Sequence, residues 1–533
     1  MLSDTLTALL LRPAVVVPAL CALVYVCVLL LKWRRRGPRL PNIPIMGARK
    51  GDWFPILQAQ WRNTRDFKTV MEQAHAQYKD EAVLVPVASS PPLVMLPHHE
   101  VDFMMQQPDS VLGFNERAFE LYQVDYTFVD PSVPRATLHE ALLRTALTPR
   151  IGTLVPALAD EVAWAFDKHW GTNTTEWQEL CVFETMRHIV GGVANRAFVG
   201  LPFCQNPELV NSGMAFAVDI PLSGALMNLF WAPLRPLVAP LITLPNRIHT
   251  RAFRRLITGE IKRRLKDYDA RQAMSPDEAK SLPVEPSDLL QWSIHQAKSN
   301  GNPFLWRAET LADRILIVNF AAIHTTSFTS TWAMFDLVAS IPQGTVDILR
   351  EEIKSVLAAN GGAWTKKALA QLVKLESAMR ESARLSSILA VGLGRVVVAE
   401  EGLTTPSGVH LDKGQHVAAP VYAVMLDDHV YEDAATFKPF RFCSAATEGG
   451  GQGQRQNYVP LTTTGPDFLA FGHGKHACPG RYFAAAELKL ILAYALLHYE
   501  FEILPVKPEG PWYGLNRIPP LTATIRVRRR TNV

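Results

Sequence analysis

The stretch FGHGKHACPG, Phe471 to Gly480, places three glycines, two histidines and one cysteine within ten residues, with Arg481 directly after it. It can be a zinc cluster, a redox thiol, or a loop presenting one sulfur to something large. Structural zinc takes four N/S ligands, and His473, His476 and Cys478 find no CxxC or HxxxH cluster elsewhere to complete a set. A free cysteine commonly serves as a small buried hydrophobe, but the flanks argue against that here. Pro479 follows at once, and Phe483, Leu488, Ile491, Leu492, Ala495 and Leu496 recur with helical period. Cys478 therefore stands at a helix N-terminus, where free N–H groups and the macrodipole favour a thiolate. Gly472 and Gly474 let the backbone turn toward the sulfur, with no side chain between the loop and a flat partner. Such a loop presents sulfur to a metal.

The rest of the chain bounds the partner. A length of 533 residues with 48% hydrophobic content can bury a large core. Lys+Arg 54 against Asp+Glu 50 leaves a net charge of only +4, so no broad attraction to nucleic acid is implied. The six cysteines (Cys21, Cys27, Cys181, Cys204, Cys443 and Cys478) are scattered, the usage of a reducing compartment. Ala14 to Leu31 is eighteen residues without a charge, long enough to cross most of a bilayer core as a helix rising about 1.5 Å per residue. No basic n-region precedes it and no small-x-small cleavage site follows, so it reads as an anchor, not a signal peptide. Lys32, Arg34, Arg35 and Arg36 come next, and the positive-inside rule assigns that flank and the body to the cytosol. Pro38, Pro41 and Pro44 form a stiff extended connector. The expected layout is a lumenal N-terminus at 1–13, a transmembrane helix at 14–31, a basic, proline-rich hinge at 32–48 and a catalytic body at 49–533.

The body reads as mainly α with a small β portion in one large domain. Helices are expected at Arg247–Gln272, amphipathic; at Asp313–Val338, apolar nearly all round and so buried; and at Ile348–Leu357 and Leu369–Leu385. Strand-like runs fall at Arg395–Val398, His416–Val421 and Thr522–Val527. Ser275–Asp288 reads as a polar loop, and Gly449–Gln454 (GGGQGQ) as a flexible insertion, since no strand precedes it and no GK[ST] follows. Pro221 to Pro245 is apolar with Arg235 as its only charge. Its five prolines argue against a second span and for a surface loop, dipping into lipid or packed on the core.

Phe471, Gly472, Gly474, His476, Cys478, Pro479, Gly480 and Arg481 fill F-G-x-G-x-H-x-C-P-G-R, which resembles the heme-binding signature of the cytochromes P-450. Three further marks come in that family's order. Glu381 and Arg384 resemble the E-x-x-R of its K helix; Pro439, Phe440, Arg441 and Phe442 resemble its P-x-R-F segment; Ala321, Ala322, Thr325 and Thr326 resemble the oxygen-binding groove of its I helix. Each has an ordinary explanation alone: an i,i+3 ion pair, a turn, and threonines bonding back to helical carbonyls. Together with the anchor and hinge they carry the resemblance over essentially the whole chain.

The resemblance implies the cytochrome P-450 fold and a heme b whose iron takes the Cys478 thiolate as axial ligand, with Phe471 packed near the sulfur. His476, Arg395 and Arg144 are implied for the propionates, with His139 as a helper; Glu140 stands where the family has tryptophan before Arg144. Arg441 closes a network with Glu381 and Arg384. Ala321 and Ala322 open the helix to oxygen, and Thr325, with Thr326, belongs to proton delivery. His324 replaces the family's usual acid; it titrates near neutrality and can shuttle protons, or can simply pack between helices. Expected substrate contacts are Val111–Phe128, Phe216–Leu229, Ala322 and Ile388–Leu393.

The implied activity is monooxygenation of an apolar small molecule. NADPH-cytochrome P-450 reductase and cytochrome b5 are the implied electron-donating partners, and membrane lipid a further one. A single-pass endoplasmic reticulum location is implied, with the body facing the cytosol. The motifs are most similar to fungal members acting on terpenoids and related secondary metabolites. Rival functions are a heme-thiolate isomerase or dehydratase working without a reductase, and a non-catalytic heme or metal sensor.

Overall fold

The computed structural model describes residues 41–88, 90–444 and 457–531. The expected anchor, its basic flank, Pro38 and the Gly449–Gln454 run lie outside them.

Strands β1 (Val83–Val87), β2 (Ser90–Met95), β3 (Leu112–Gly113), β4 (Gly392–Val397) and β5 (His416–Ala419) form a sheet of order β1-β2-β5-β4-β3. β2 and β5 are parallel, with Val94 opposite Val417, and β4 runs antiparallel to both β5 and β3. A second sheet joins Tyr499–Phe501, Thr524–Arg529 and Gln178–Cys181.

The helices that frame the site are α1 (Phe114–Leu121), α2 (Thr148–His169), α3 (Val182–Phe198), α4 (Pro207–Asn228), α5 (Arg235–Ile242), α6 (Leu244–Ala273), α7 (Ala308–Ala339), α8 (Thr345–Ala359), α9 (Val373–Leu385) and α10 (Arg481–His498). Apolar nearly all round, α7 must be covered on every side, and it packs against α3, α4, α6, α9 and α10. α10 is buried along most of its length. Its Phe483 meets Phe198 of α3 at 5.8 Å and its Tyr494 meets Phe166 of α2 at 5.1 Å. Each such aromatic contributes about 1.5–3 kcal/mol by leaving water.

Three expectations need correction. The segment expected as a loop at Pro221–Pro245 is largely helical, spanning the end of α4, a short turn at Ala232–Leu234, and α5. Pro233, Pro236 and Pro245 each fall in a first turn, where the missing N–H has no helical partner in any case; Pro221 and Pro240 fall inside helices. α4 is apolar enough to span a membrane by composition, with a mean hydropathy of 1.3, yet it is 61% buried in the body. The helix expected at Leu369–Leu385 breaks at Leu372, whose ψ of 68° separates Lys366–Gln371 from α9. The polar loop Ser275–Asp288 holds one short helix, Pro276–Lys280.

Candidate active site

The middle of α7 is where an otherwise buried helix opens. Ala321 and Thr325 are exposed and Ala322 is half-buried, while nearly all of the helix before Phe320 and after Thr329 is buried. Residues four apart share a face, so Ala321 and Thr325 line a cleft. Thr325 Oγ1 donates to Ala321 O at 2.8 Å and also reaches Ala322 O at 3.3 Å. Thr326, grouped with it in the sequence reading, lies one residue further around the helix and is only 4% exposed; it does not share that face.

His324 is placed differently from a solvent-linked proton shuttle. Its Nε2 donates to Met214 O of α4 at 3.2 Å, its Nδ1 is enclosed without a partner among the described residues, and its ring lies 5.9 Å from Phe328. Burial lowers its pKa, so the neutral imidazole ties α7 to α4.

The cysteine loop hangs from Phe471, whose carbonyl accepts the Cys478 N–H at 2.8 Å. Gly472 and Gly474 have φ of +68° and +73°, the left-handed region that side chains disfavour. A Cβ on Gly474 would press on Met105, so these glycines are required by the turn as well as by space. Burial pushes the Cys478 thiol up, opposed by the N–H groups of Gly480 and Arg481 and by the Arg481 charge. Burial thus works against the thiolate that these N–H groups and this charge favour, and coordination to a metal deprotonates a thiol outright.

The two histidines do not converge on the sulfur. His476 Nε2 lies 2.7 Å from Asp109 Oδ1 with its ring stacked on Phe114 at 4.6 Å, and His473 Nδ1 lies 3.2 Å from Thr464 Oγ1. Among the described residues no group of three or more His, Cys, Asp or Glu side chains is placed to hold a metal ion, so the zinc reading gains no support. His473 is engaged within the fold and is not a bare surface residue.

Of the cations expected near a propionate, Arg395 is buried and donates to the carbonyls of Leu393 and Gly394, at 3.2 and 2.9 Å, and to Met105 Sδ at 3.8 Å, while lying 4.8 Å over the Phe114 ring. Burial lowers its pKa to about 10, as for a cation short of a counter-charge. Arg144 is exposed in the π-helical turn Leu143–Leu147 and reaches Lys475 O at 3.3 Å. His476 is already engaged by Asp109. His139 sits by Arg314 instead of by the loop; burial first, and that guanidinium second, lower its pKa to about 4.

Behind the loop, Glu381 of α9 is fully buried. Arg384 grips it with two bonds of 2.8 Å, Arg441 Nε lies 3.0 Å from each carboxylate oxygen, and Lys438 N donates at 3.1 Å. Sequence reasoning missed Asp109, which ties Lys475 and His476 to the segment before β3 at 2.6 and 2.7 Å; a lone aspartate carries no signal of such a contact.

A flat macrocycle with carboxylate arms fits what these residues lack: a counter-charge for Arg395, a neighbour for the Ala321–Thr325 face, and a metal for the Cys478 sulfur. The fold and this chemistry together define a heme-thiolate enzyme. The family profile for Cytochrome P-450 matches residues 50–521. "Cytochrome P-450 monooxygenase 110" of Postia placenta is 32% identical over 93% of this chain and 94% of its own length. "Cytochrome P-450 monooxygenase astC" of Aspergillus terreus is 28% identical over 97% of each chain. A retinoic acid-bound cyanobacterial CYP120A1 shares the fold, with a TM-score of 0.63 at 19% identity, over 92% of this chain and 100% of that one. The chain belongs to the cytochrome P-450 family. It is a monooxygenase whose cofactor is heme with Cys478 as the axial thiolate, and like the family it requires a redox partner and a small-molecule substrate.

Proposed function

We propose that this protein is a membrane-tethered monooxygenase that hydroxylates or otherwise oxidises an apolar molecule, a terpenoid or related fungal secondary metabolite. It takes NADPH electrons through cytochrome P-450 reductase, with cytochrome b5 as a second donor. When bound, the heme supplies oxygen activation, its thiolate ligand favouring O–O cleavage. The chain's own part is to hold and to exclude. Phe471 would shield the sulfur, Arg395 and Arg144 would hold the carboxylate arms of the heme, and Phe320, Ala322, Phe128 and Phe216 would supply apolar walls. The Thr325 hydroxyl, now bonded back to its own helix, holds a proton at the cleft.

The observation that carries this reading is the opening of α7 around Ala321 and Thr325, in the middle of a helix that is buried for most of its length. A membrane surface is supported by the apolar side chains that α5 and its neighbours expose, Leu237 at 77% and Leu241 at 79% foremost, and by Trp53 and Phe54 beside the hinge. They accord with the proposed layout of 1–13 lumenal, 14–31 spanning, 32–48 hinge and 49–533 catalytic, in the endoplasmic reticulum with the body in the cytosol.

Expression with a reductase, feeding of a terpenoid panel and mass spectrometry test the substrate class; no oxidised product from any terpenoid would overturn it. Product that persists without NADPH would favour the reductase-free isomerase. Thr325→Ala is expected to consume NADPH with about a hundredfold less product, the low end of what one proton-transfer group contributes. Unchanged coupling would overturn the role given to Thr325.

A further inference from the structure

Just ahead of Glu381, α9 carries a second polar pair, Glu376 and Arg380, at i,i+4 spacing. Both are buried. Glu376 accepts from Leu461 N at 3.0 Å, from the Tyr458 hydroxyl and from the Lys489 ammonium of α10. Lys489 also donates to Leu369 O at 2.7 Å. Arg380 forms no ion pair among the described residues. Its Nη1 donates to the carbonyls of Pro460 and Thr463, each at 2.7 Å, and its guanidinium lies 3.6 Å over the Phe468 ring and 4.8 Å over Phe442. A buried cation is costly unless several groups compensate it, and here the compensation comes from backbone carbonyls and ring faces of residues 442–468.

All but one of these contacts fall on one strap, residues 458–468, which runs straight into the cysteine loop. The loop and its helix grip the strap from the other side, through Arg481 Nε to Thr462 O at 3.2 Å and His473 Nδ1 to Thr464 Oγ1 at 3.2 Å. Phe468 stands three residues before Phe471, from whose carbonyl the Cys478 N–H is hung.

We propose that Arg380 is a positioning residue for the heme ligand. By holding two strap carbonyls and the Phe468 ring, it fixes the frame from which Phe471 and Cys478 are suspended. It touches neither the sulfur nor the heme and acts through the strap. Glu376 and Lys489 fasten the strap's beginning, so Arg380 sets its middle.

The test uses the full chain loaded with heme, and compares Arg380→Gln, Arg380→Lys and Phe468→Leu. Heme release to excess apomyoglobin, the red-shifted Soret band of the reduced CO complex, and the helical melting temperature are read. Arg380→Gln is expected to release heme about tenfold faster, the weight of one charged hydrogen bond, and to lose part of the red-shifted band. Phe468→Leu shows the same change to a smaller degree, and Arg380→Lys falls between glutamine and the parent. A merely structural role would lower the melting temperature and leave the band in place; that result, or parental heme release by Arg380→Gln, overturns the proposal. If Arg380→Gln loads no heme, Arg380→Lys decides: partial recovery of the band supports the role and none overturns it. These readouts need neither substrate nor reductase, so they stand apart from the proposed substrate class.

Discussion

Tyr122, just beyond α1, meets Phe320 of α7 edge-on, with ring centroids 5.3 Å apart at 87°. At the other end of α1, Phe114 stacks on His476. α1 thus bridges the cysteine loop and the opened stretch of α7, and under the proposed function its side chains border the substrate. An edge-to-face pair contributes about 0.5–1.5 kcal/mol beyond area. Tyr122→Ala is therefore expected to weaken binding of an apolar ligand by about three- to tenfold, measured by titrating the heme spectrum. Tyr122→Phe keeps the ring and is expected to bind as the parent does.

Glu381 has no access to solvent and three groups donate to its oxygens. Removing its charge leaves Arg384 buried and uncompensated, which costs about 3–5 kcal/mol. Glu381→Gln is expected to yield protein with little or no heme, seen as loss of the Soret band relative to total protein. Parental heme content would show that Arg384 finds compensation elsewhere.

Because burial lowers the pKa of His324 from 6.5, the folded state binds its proton less readily than the unfolded chain. This contribution makes the fold lose stability as pH falls through about 6.5, and leaves the imidazole neutral above it. His324→Gln keeps an N–H for Met214 O and is expected to retain product per NADPH at neutral pH. A loss matching that of Thr325→Ala would restore the proton-shuttle role.

Glu487 on α10 is fully buried, neither of its oxygens finds a partner among the described residues, and burial raises its pKa well above 4.5. With its folded pKa raised, its contribution to stability is complete below about 4.5 and declines as pH rises toward the folded value. Glu487→Met is expected to stabilise the protein by about 1–4 kcal/mol near neutrality. Melting temperatures at about pH 5 and about pH 8 should show the larger gain at the higher pH, and an equal gain at both would contradict it.

What could be read from sequence was local chemistry at fixed spacing. The cysteine loop, the Glu381–Arg384 pair and the threonine of α7 announce themselves through residue types that rarely coincide. The pairing of Glu381 with Arg441 needed a family pattern, because sixty residues separate them. Nothing in the chain foretells that Asp109 reaches His476 or that Arg380 reaches Pro460, since those contacts are made by the fold bringing distant loops together. The resemblance to the I-helix groove takes in Thr326 with Thr325, yet one step along a helix turns a side chain about 100°. The helices at 221–245 were obscured because prolines read as breakers until their positions in the first turns are known.

The leucines along α5 have a practical consequence. Since Leu237, Leu241 and the part-exposed Leu234, Leu244 and Ile248 belong to the body, deleting the first forty residues would not make this enzyme behave as a freely soluble one. Such a truncated chain should still need detergent to stay monodisperse, and charged replacements at Leu237 and Leu241 are where its self-association would be relieved.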